Sequence, residues 1–183
     1  MREITRLLTG LPVQVVGLEA YPDLGELPEP YDTFAANAES KACAAAAHTG
    51  CLALADDSGL QVPVLDDRPG VFSSRYAPTD AERIARLLQE MQGLTGEQRR
   101  ARFVCVLALA DATRLLGHWQ GTCEGIIALQ PCGDHGFGFD PIFLYGERTF
   151  AEMTREEKND VSHRGQALRA FAHDFPGLLD ELA

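Results

Sequence analysis

The chain has 183 residues, 45% hydrophobic and 23% charged, so it can fold as a single globular domain over 1–183 with its own core. Its formal net charge of −11 argues against DNA or RNA as a partner, although cations clustered around one pocket could still bind a small anion. No apolar run reaches the roughly 20 residues that cross a bilayer, and the N-terminus lacks the apolar core of a signal peptide. We therefore expect a cytoplasmic protein with no membrane segment.

The cysteine and lysine positions narrow the kinds of site that the chain could carry. Its five cysteines lie far apart with no CxxC pair, which favours neither a disulfide framework nor a zinc site. Of the 16 basic side chains, 14 are arginine, and the two lysines are Lys41 and Lys158. Because lysine presents a compact charge that binds phosphate well, these two positions are candidates for an anion site.

The N-terminal part of the chain predicts two helices and one strand. Apolar residues recur on one helical face over residues 2–9, and a glycine follows as the stop. Alternating β-branched residues predict a strand over Leu11–Leu18. An alanine-rich segment predicts a helix over 34–48, for which Asp32 or Thr33 would supply the N-cap.

The next stretch places two adjacent carboxylates after a short apolar run. The run Cys51–Ala55 predicts a buried strand, and Asp56 and Asp57 would follow in a turn at its carboxyl end, where open α/β sheets bind ligands. Since neighbouring strand residues face opposite sides, only one of the two carboxylates can point into a given cleft. We predict a hairpin partner over Leu60–Leu65. An ordinary acidic turn explains the same residues without a ligand.

The remaining elements alternate loops with helices and strands. Two capping boxes, Thr79–Glu82 and Thr154–Glu157, predict helix starts, because each satisfies free backbone N–H groups of a first turn. In chain order we predict an aromatic binding loop at Arg68–Tyr76, a helix to about Gln92, strands at Arg102–Ala110, Arg114–Thr122 and Glu124–Leu129, a glycine loop at Cys132–Pro141, a helix carrying Lys158, a break at Ser162–Gly165 and a helix at Gln166–Phe175.

Four groups of residues have the chemistry of a nucleotide site. They are Lys41, Asp56-Asp57-Ser58, Phe137–Asp140, and Lys158 with Ser162-His163-Arg164. Carboxylates suit Mg²⁺, which usually bridges one or two of them to substrate phosphates, and the cations could neutralise a triphosphate. An aromatic ring in the glycine loop could stack on a base. Each group also has a plain structural explanation: a solvated lysine, a surface histidine, or a turn whose rings pack on the core. Together they predict a nucleotide phosphohydrolase.

Four sequence strings add a family resemblance to this prediction. They are LADDSGL at Leu54–Leu60, PGVFSSRY at Pro69–Tyr76, GFGFDPIF at Gly136–Phe143, and Glu157–Leu168, which contains SHRGQAL. In this order they closely resemble the inosine triphosphate pyrophosphatase family, the house-cleaning dITP/XTP pyrophosphatases, over about residues 2–172. Four motifs in the right order make a chance match very improbable.

The resemblance implies a fold and an activity. The fold would be an elongated α/β structure with a mixed β-sheet flanked by helices, with an active-site cleft between two lobes, usually as a homodimer. The activity would be Mg²⁺-dependent hydrolysis of dITP, ITP, dXTP or XTP to the monophosphate and pyrophosphate. Discriminating a 6-keto from a 6-amino purine needs a buried donor aimed at the oxygen, because the amino analogue leaves that donor unpaired.

The resemblance also implies roles for individual residues. Asp57 would accept a proton and bind the metal, with Asp56 beside it as a metal ligand. Phe137 would stack on the base. Ser58 would contact the substrate, and Lys41 and Lys158 would lie on the phosphate side. The other expected contacts are Phe137, Gly138, Phe139 and Asp140 around the base, and His163 and Arg164 at the purine.

The sequence departs from the family pattern at two places. Relatives usually open with a strand and a T/S-x-N-x-x-K phosphate loop before the segment that matches Arg2-Glu3. Without this strand and loop, we expect the chain to be weakly active and poorly stable. Relatives also carry a metal-binding glutamate where this chain has Ala36. Glu39, one turn along the predicted helix, could reach the metal instead.

Two alternatives remain beside an active purine pyrophosphatase. The chain could be a catalytically impaired nucleotide-binding protein, because of the missing loop and Ala36. It could also be a related pyrophosphatase that acts on modified pyrimidine nucleotides. Pyrophosphate release from dITP, dATP and dTTP with Mg²⁺ separates the three hypotheses.

Overall fold

The computed structural model describes residues 2–182, which combine a six-stranded sheet with helices. The helices are α1 (Arg2–Leu7), α2 (Phe34–Thr49), α3 (Asp80–Glu90), α4 (Arg155–Val161) and α5 (His163–Leu182). The strands are β1 (Ala53–Val62), β2 (Arg68–Pro69), β3 (Arg100–Ala110), β4 (Leu115–Ile127), β5 (Phe143–Tyr145) and β6 (Arg148–Thr149). The sheet order is β2-β1-β3-β4-β5-β6, and the pairs β1–β2, β4–β5 and β5–β6 are antiparallel. The predicted α/β class, a sheet flanked by helices, is confirmed.

The chain divides into two compact units. The first unit contains the residues up to Asp57, Val106–Gly121, and the residues from Gln166 onward. The second unit contains Ser58–Cys105 and Thr122–Gly165. Four elements, β1, β3, β4 and α5, contribute residues to both units. The single domain predicted over 1–183 stays a prediction.

In the first unit, α2 turns a face of small residues toward the interior. Ala38, Ala42 and Ala46 on this face are fully buried. The helix starts at the predicted cap, where Thr33 Oγ1 accepts a hydrogen bond from the Ala36 N–H at 3.2 Å. It ends at Gly50, whose φ of +68° is the left-handed conformation that glycine adopts without strain.

The strand predicted over Leu11–Leu18 is wrong. Side chains in this segment do alternate between half-buried and exposed, as the sequence pattern required. Residues 11–17, however, belong to none of the strands that the structure describes. Alternation alone therefore did not produce a strand here, because a strand also needs a neighbouring strand that accepts its backbone hydrogen bonds.

The second unit is built around a cluster of buried aromatic and aliphatic side chains. Phe103 on β3 packs against Phe143 with ring centroids 4.6 Å apart and stacks on Phe150 at 5.8 Å. Leu60 and Val62, from the last part of β1, belong to the same cluster. The cluster fixes the positions of β1, β3 and β5 within this unit.

The predicted turn at Asp56 and Asp57 is wrong, because both residues lie in the middle of β1. The strand continues through Ser58 and Gly59, so Leu60–Leu65 is not a separate hairpin partner. The partner is β2, with Val62 opposite Arg68, after a reversal in which Asp66 and Asp67 both have positive φ. Turn-forming residue types were overridden here by sheet pairing and by burial of the end of the strand.

Of three further predictions, one is confirmed and two need only new boundaries. The two strands predicted between Arg114 and Leu129 are one strand, β4, in which Thr122 and Glu124 are outer side chains rather than a break. Both capping boxes are confirmed and open α3 and α4. α5 begins at His163 and runs to Leu182, beyond the predicted end at Phe175. No helix within residues 2–182 is long and apolar enough to cross a membrane.

Candidate active site

A buried carboxylate cluster forms in the first unit, where β1 meets α2. Asn37 and Lys41 are four residues apart and therefore lie on the same face of α2. Asn37 Nδ2 donates a hydrogen bond to Asp57 Oδ2 at 3.0 Å, and Lys41 Nζ lies 3.4 Å from Asp57 Oδ1. Asp57 is only 5% exposed, and Asn37 is fully buried. The predicted pairing of Lys41 with the Asp57 region is therefore a direct contact.

Glu29 completes this cluster from the loop before α2. Its Oε1 lies 2.7 Å from Lys41 Nζ, whereas Asp57 Oδ1 lies 3.4 Å from the same nitrogen. Asn37 fixes this loop, because its side chain accepts from the Tyr31 N–H at 2.9 Å and donates to the Tyr31 carbonyl at 3.1 Å. The Lys41 ammonium is thus shared between two carboxylates.

The electrostatic surroundings raise the pKa of Asp57 above its ordinary value. Desolvation by burial is the largest cause, and the nearby charge of Glu29 acts in the same direction. The hydrogen bond from Asn37 and the charge of Lys41 lower the pKa, but they only partly compensate. Asp57 is therefore a stronger base than an exposed aspartate.

The donor set around Asp57 suits a magnesium ion. Carboxylate oxygens are hard ligands, and Asp57 and Glu29 supply them within one cluster, whereas the Asn37 amide oxygen is taken by the Tyr31 N–H. In the part of the chain that the structure describes, no group of three or more His, Cys, Asp or Glu side chains is arranged to hold a metal. Mg²⁺ commonly takes one or two protein carboxylates and completes its shell with phosphates and water, so these residues fit it.

Asp56 and Glu39 are less well placed than Asp57. Alternation along β1 directs the Asp56 side chain to the sheet face opposite Asp57, so its role as a metal ligand stays a prediction. Glu39 lies two residues from both Asn37 and Lys41, which is about 200° around the helix. Its Oε2 is 3.7 Å from His118 Nε2. This geometry gives no support to Glu39 as a replacement for the ligand absent at Ala36, and that hypothesis stays a prediction.

The glycine loop of the second unit holds an aromatic ring beside a cation. The Phe137 side chain is exposed, at 65%, and the Lys158 ammonium lies 4.7 Å from its ring centroid. Asp140, almost fully buried, accepts from the Phe137 N–H at 2.9 Å and from Lys158 Nζ at 2.5 Å. A side chain at Gly136, where φ is +79°, would collide with the Asp140 carboxylate. The loop needs glycine there.

Lys158 consequently lies with the residues that the resemblance assigns to the base. Its contacts to Asp140 and Phe137 place the ammonium at the edge of the exposed ring. The expected role of Lys158 on the phosphate side stays a prediction. Its joint approach with Lys41 to one anion also stays a prediction.

Of the other residues predicted for the base pocket, Phe139 is buried in the core and Gly138 contributes a backbone contact. Phe139 is 3% exposed and packs edge-on against Tyr76 with ring centroids 6.4 Å apart, so its expected contact with the base stays a prediction. Gly138 contributes its backbone, and its N–H donates to Asp80 Oδ2 at 2.7 Å.

His163 is not a surface histidine. It is 9% exposed and stacks on Phe103, with ring centroids 4.7 Å apart and an interplanar angle of 12°. Phe103 stacks in turn on Phe150, which lies 5.5 Å from the Lys158 ammonium. His163 and Lys158 therefore sit on one continuous aromatic layer. The expected substrate contacts of His163, of half-buried Arg164 and of Ser58 in β1 stay predictions.

Sequence reasoning missed three side chains of these clusters: Glu29, Asn37 and Asp80. Asn37 carried a usable signal, because its spacing from Lys41 places both on one helix face. Glu29 and Asp80 reach their partners across 12 and 58 residues of sequence, which no local pattern reveals.

Comparisons with known proteins show which family the chain belongs to. A sequence profile of the Ham1 family matches residues 1–174. The dITP/XTP pyrophosphatase of Synechocystis sp. is 48% identical over 157 residues, which cover 84% of this chain and 79% of that protein. The dITP/XTP pyrophosphatase of Desulforamulus reducens is 44% identical over 174 residues, covering 92% of this chain and 87% of that protein. The structure of a HAM1 protein from Coxiella burnetii matches with a TM-score of 0.89 and 41% identity, covering 96% of this chain and 92% of that chain. The chain therefore belongs to the Ham1 family.

Proposed function

We propose that the chain is a nucleoside-triphosphate pyrophosphatase that hydrolyses non-standard purine nucleotides, dITP, ITP, dXTP and XTP, to the monophosphate and pyrophosphate. The observation that carries this proposal is the buried Asp57 carboxylate, held by Asn37 and Lys41. It occurs in a chain whose relatives are named dITP/XTP pyrophosphatase and match most of its length.

Asp57 is the residue that we assign to the attacking water. Its raised pKa makes it a better proton acceptor than an exposed aspartate. The contacts from Asn37 and Lys41 fix the plane of the carboxylate, and each oxygen keeps further lone-pair capacity for water. Holding a water in line with the α-phosphorus is mainly a matter of positioning and electrostatics, which this rigid cluster supplies.

Asp57 would also hold Mg²⁺, with Asp56 as the further predicted ligand. When bound, the ion would neutralise phosphate charge and assist departure of pyrophosphate. Lys41 Nζ lies 3.4 Å from the Asp57 carboxylate and would bind the phosphates.

The glycine loop would bind the base. The exposed Phe137 ring offers a stacking surface, and Lys158 beside it offers a donor that could face the 6-keto oxygen. His163 and Arg164 are the other donors proposed for the purine edge. A 6-amino purine would leave such a donor unpaired, which is the basis expected for discrimination.

The test measures pyrophosphate release from dITP, XTP, dATP and dTTP by the purified chain with Mg²⁺. We expect kcat/KM for dITP and XTP to exceed that for dATP at least about 10²-fold. Binding of dITP without release would indicate the impaired nucleotide-binding protein instead. Preference for dTTP analogues would indicate the pyrimidine pyrophosphatase.

The choice of Mg²⁺, homodimerisation and a cytoplasmic location are further parts of this proposal that the resemblance supports. Removal of divalent cations with EDTA should abolish turnover, and Mg²⁺ should restore it more effectively than Ca²⁺, which is larger and prefers more ligands. Light scattering during size exclusion should give twice the monomer mass. A monomer with full activity would contradict the dimer but not the reaction.

A further inference from the structure

The loop that carries Phe137 is held by a carboxylate from a distant helix. The two consecutive backbone N–H groups of Phe137 and Gly138 both donate to carboxylates, the first to Asp140 and the second to Asp80. Asp80 is the first residue of α3 and lies 58 residues away in sequence. With Gly136 and Gly138 both at positive φ, the loop has glycine freedom on each side of Phe137. These two hydrogen bonds therefore restrain the backbone at Phe137, together with the bond that the Asp140 N–H donates to the Phe137 carbonyl at 3.2 Å.

Asp80 is itself held in place. Its Oδ1 accepts from Arg83 Nη1 at 2.5 Å, and Arg83 Nε donates to the Ala77 carbonyl at 2.9 Å. This pair orients the carboxylate, so that Oδ2 is directed at the Gly138 N–H at 2.7 Å.

The start of α3 does not account for this contact. Thr79 and Glu82 form the capping box, with the Thr79 side chain accepting from the Glu82 N–H and the Glu82 side chain accepting from the Thr79 N–H. An acidic residue at the first helical position also interacts favourably with the helix dipole, wherever its second oxygen points. The bond to Gly138 is therefore additional to the needs of the helix.

We propose that Asp80 is a positioning residue for the base-binding loop, acting through the Gly138 N–H on the orientation of the Phe137 ring. This inference rests on the proposed function, because it takes Phe137 as the surface on which the purine stacks. Loss of the contact lets the loop sample other conformations, so binding of the base weakens while the chemistry at Asp57 continues.

The test compares Asp80→Ala and Asp80→Asn with the unmodified chain. For Asp80→Ala we expect KM for dITP to rise about 10-fold while kcat changes less than about 2-fold, since one hydrogen bond to a charged group is lost outside the reacting atoms. Asp80→Asn keeps an acceptor oxygen for the Gly138 N–H, so it should recover part of the lost affinity.

Amide hydrogen exchange supplies a second readout that does not depend on activity. In Asp80→Ala the Gly138 amide should exchange at least about 10-fold faster, while amides in β3 keep their wild-type rates. Thr79→Ala is the matched control: it removes the cap of α3 and lowers its stability, yet leaves Asp80 able to accept from Gly138.

The outcomes separate the inference from the proposed function. An unchanged Gly138 exchange rate in Asp80→Ala contradicts the inference, whether or not the chain hydrolyses nucleotides. A KM increase in Thr79→Ala as large as that in Asp80→Ala also contradicts it, because the effect would then follow helix stability alone. Faster Gly138 exchange with an unchanged KM contradicts the link to the base. Failure of the unmodified chain to hydrolyse dITP or XTP contradicts the proposed function.

Discussion

Asp57 is 5% exposed yet carries an ionisable group, and desolvation is the largest contribution to its raised pKa. A carboxyl whose pKa is higher in the folded than in the unfolded state binds its proton more tightly when folded. Its contribution to the free energy of unfolding therefore falls as pH rises from the ordinary aspartate value of about 3.9 to the higher folded value. At pH values above the folded pKa the buried carboxyl is charged, and its desolvation lowers the free energy of unfolding by the full amount.

Replacing Asp57 with asparagine should stabilise the folded protein and reduce its activity. In the metal-free protein with EDTA, Asp57→Asn should raise the free energy of unfolding at pH 7 by about 1 kcal/mol, because the buried charge is removed while the shape is kept. The gain should shrink toward zero below the ordinary aspartate pKa, where the wild-type carboxyl is protonated in both states. Urea unfolding between pH 3 and pH 8 measures the difference. Pyrophosphate release should fall at least about 10²-fold.

Glu39→Gln is the matched control for this substitution. Glu39 lies on another face of α2, where its Oε2 is 3.7 Å from His118 Nε2. Both the stability, within about 0.5 kcal/mol, and the Mg²⁺ dependence should match the wild type. A destabilised Asp57→Asn protein at pH 7 would show that the interactions with Asn37 and Lys41 outweigh desolvation.

At the scale of elements, local signals predicted where helices begin but not how far strands extend. Thr79 and Thr154 were recognised as helix starts because capping depends on residues three positions apart. The sequence predicts a turn at Asp56 and Asp57. Both residues instead lie within β1, since burial of the following residues and sheet pairing decide the length of a strand. Segment 11–17 shows the opposite error, because its alternating pattern predicts a strand and the structure has none there.

In the candidate site, too, sequence motifs identified some residues and missed those that are placed by tertiary packing. Motif resemblance identified Asp57, Phe137, Asp140 and Lys158, and the structure places the last three in mutual contact. It did not identify Glu29 or Asp80, because their partners are set by how α2 and the glycine loop pack. Contacts that arise from tertiary packing leave no periodic pattern in the sequence.

Arg99 joins several elements of the second unit through hydrogen bonds to their backbone carbonyls. Its guanidinium is buried, and it donates to the carbonyl oxygens of Ile127 at 2.7 Å and Ala128 at 2.7 Å. It also donates to the carbonyls of Met91 at 3.2 Å and Leu94 at 3.3 Å. The end of α3, the loop after it and the end of β4 are thereby joined through one side chain, whose pKa desolvation lowers.

Arg99→Lys should lower the free energy of unfolding by about 2–3 kcal/mol. An ammonium cannot reproduce the planar set of donors, so buried carbonyl groups lose their partners. Urea denaturation with an unchanged m-value measures the loss. The neighbouring Arg100→Lys is the control: Arg100 is two-thirds exposed and pairs with Glu97, so its effect should stay below about 0.5 kcal/mol. Equal midpoints for the two variants would contradict the structural role of Arg99.

At the scale of the whole molecule, the two compact units are not independent segments of the chain. β1 passes from the first unit to the second after Asp57, and β3, β4 and α5 also contribute residues to both. A unit that lost its structure would have to break three strands and a helix in mid-element, which removes backbone hydrogen bonds from the residues on either side. Four shared elements therefore favour a single cooperative transition.

We expect unfolding of both units to occur in one two-state transition. Trp119 is the one tryptophan of the sequence, and it reports on the first unit, where it donates to Asp174 at 2.8 Å and packs against Phe171. Its fluorescence and the far-UV circular dichroism of the whole chain should give coincident urea midpoints. A variant with Trp119→Phe and Tyr145→Trp moves the fluorescent reporter to the second unit, and its two probes should again coincide. Fluorescence midpoints that depart from the circular dichroism midpoint in opposite directions for the two reporters would show that each unit unfolds separately, despite the strands that they share.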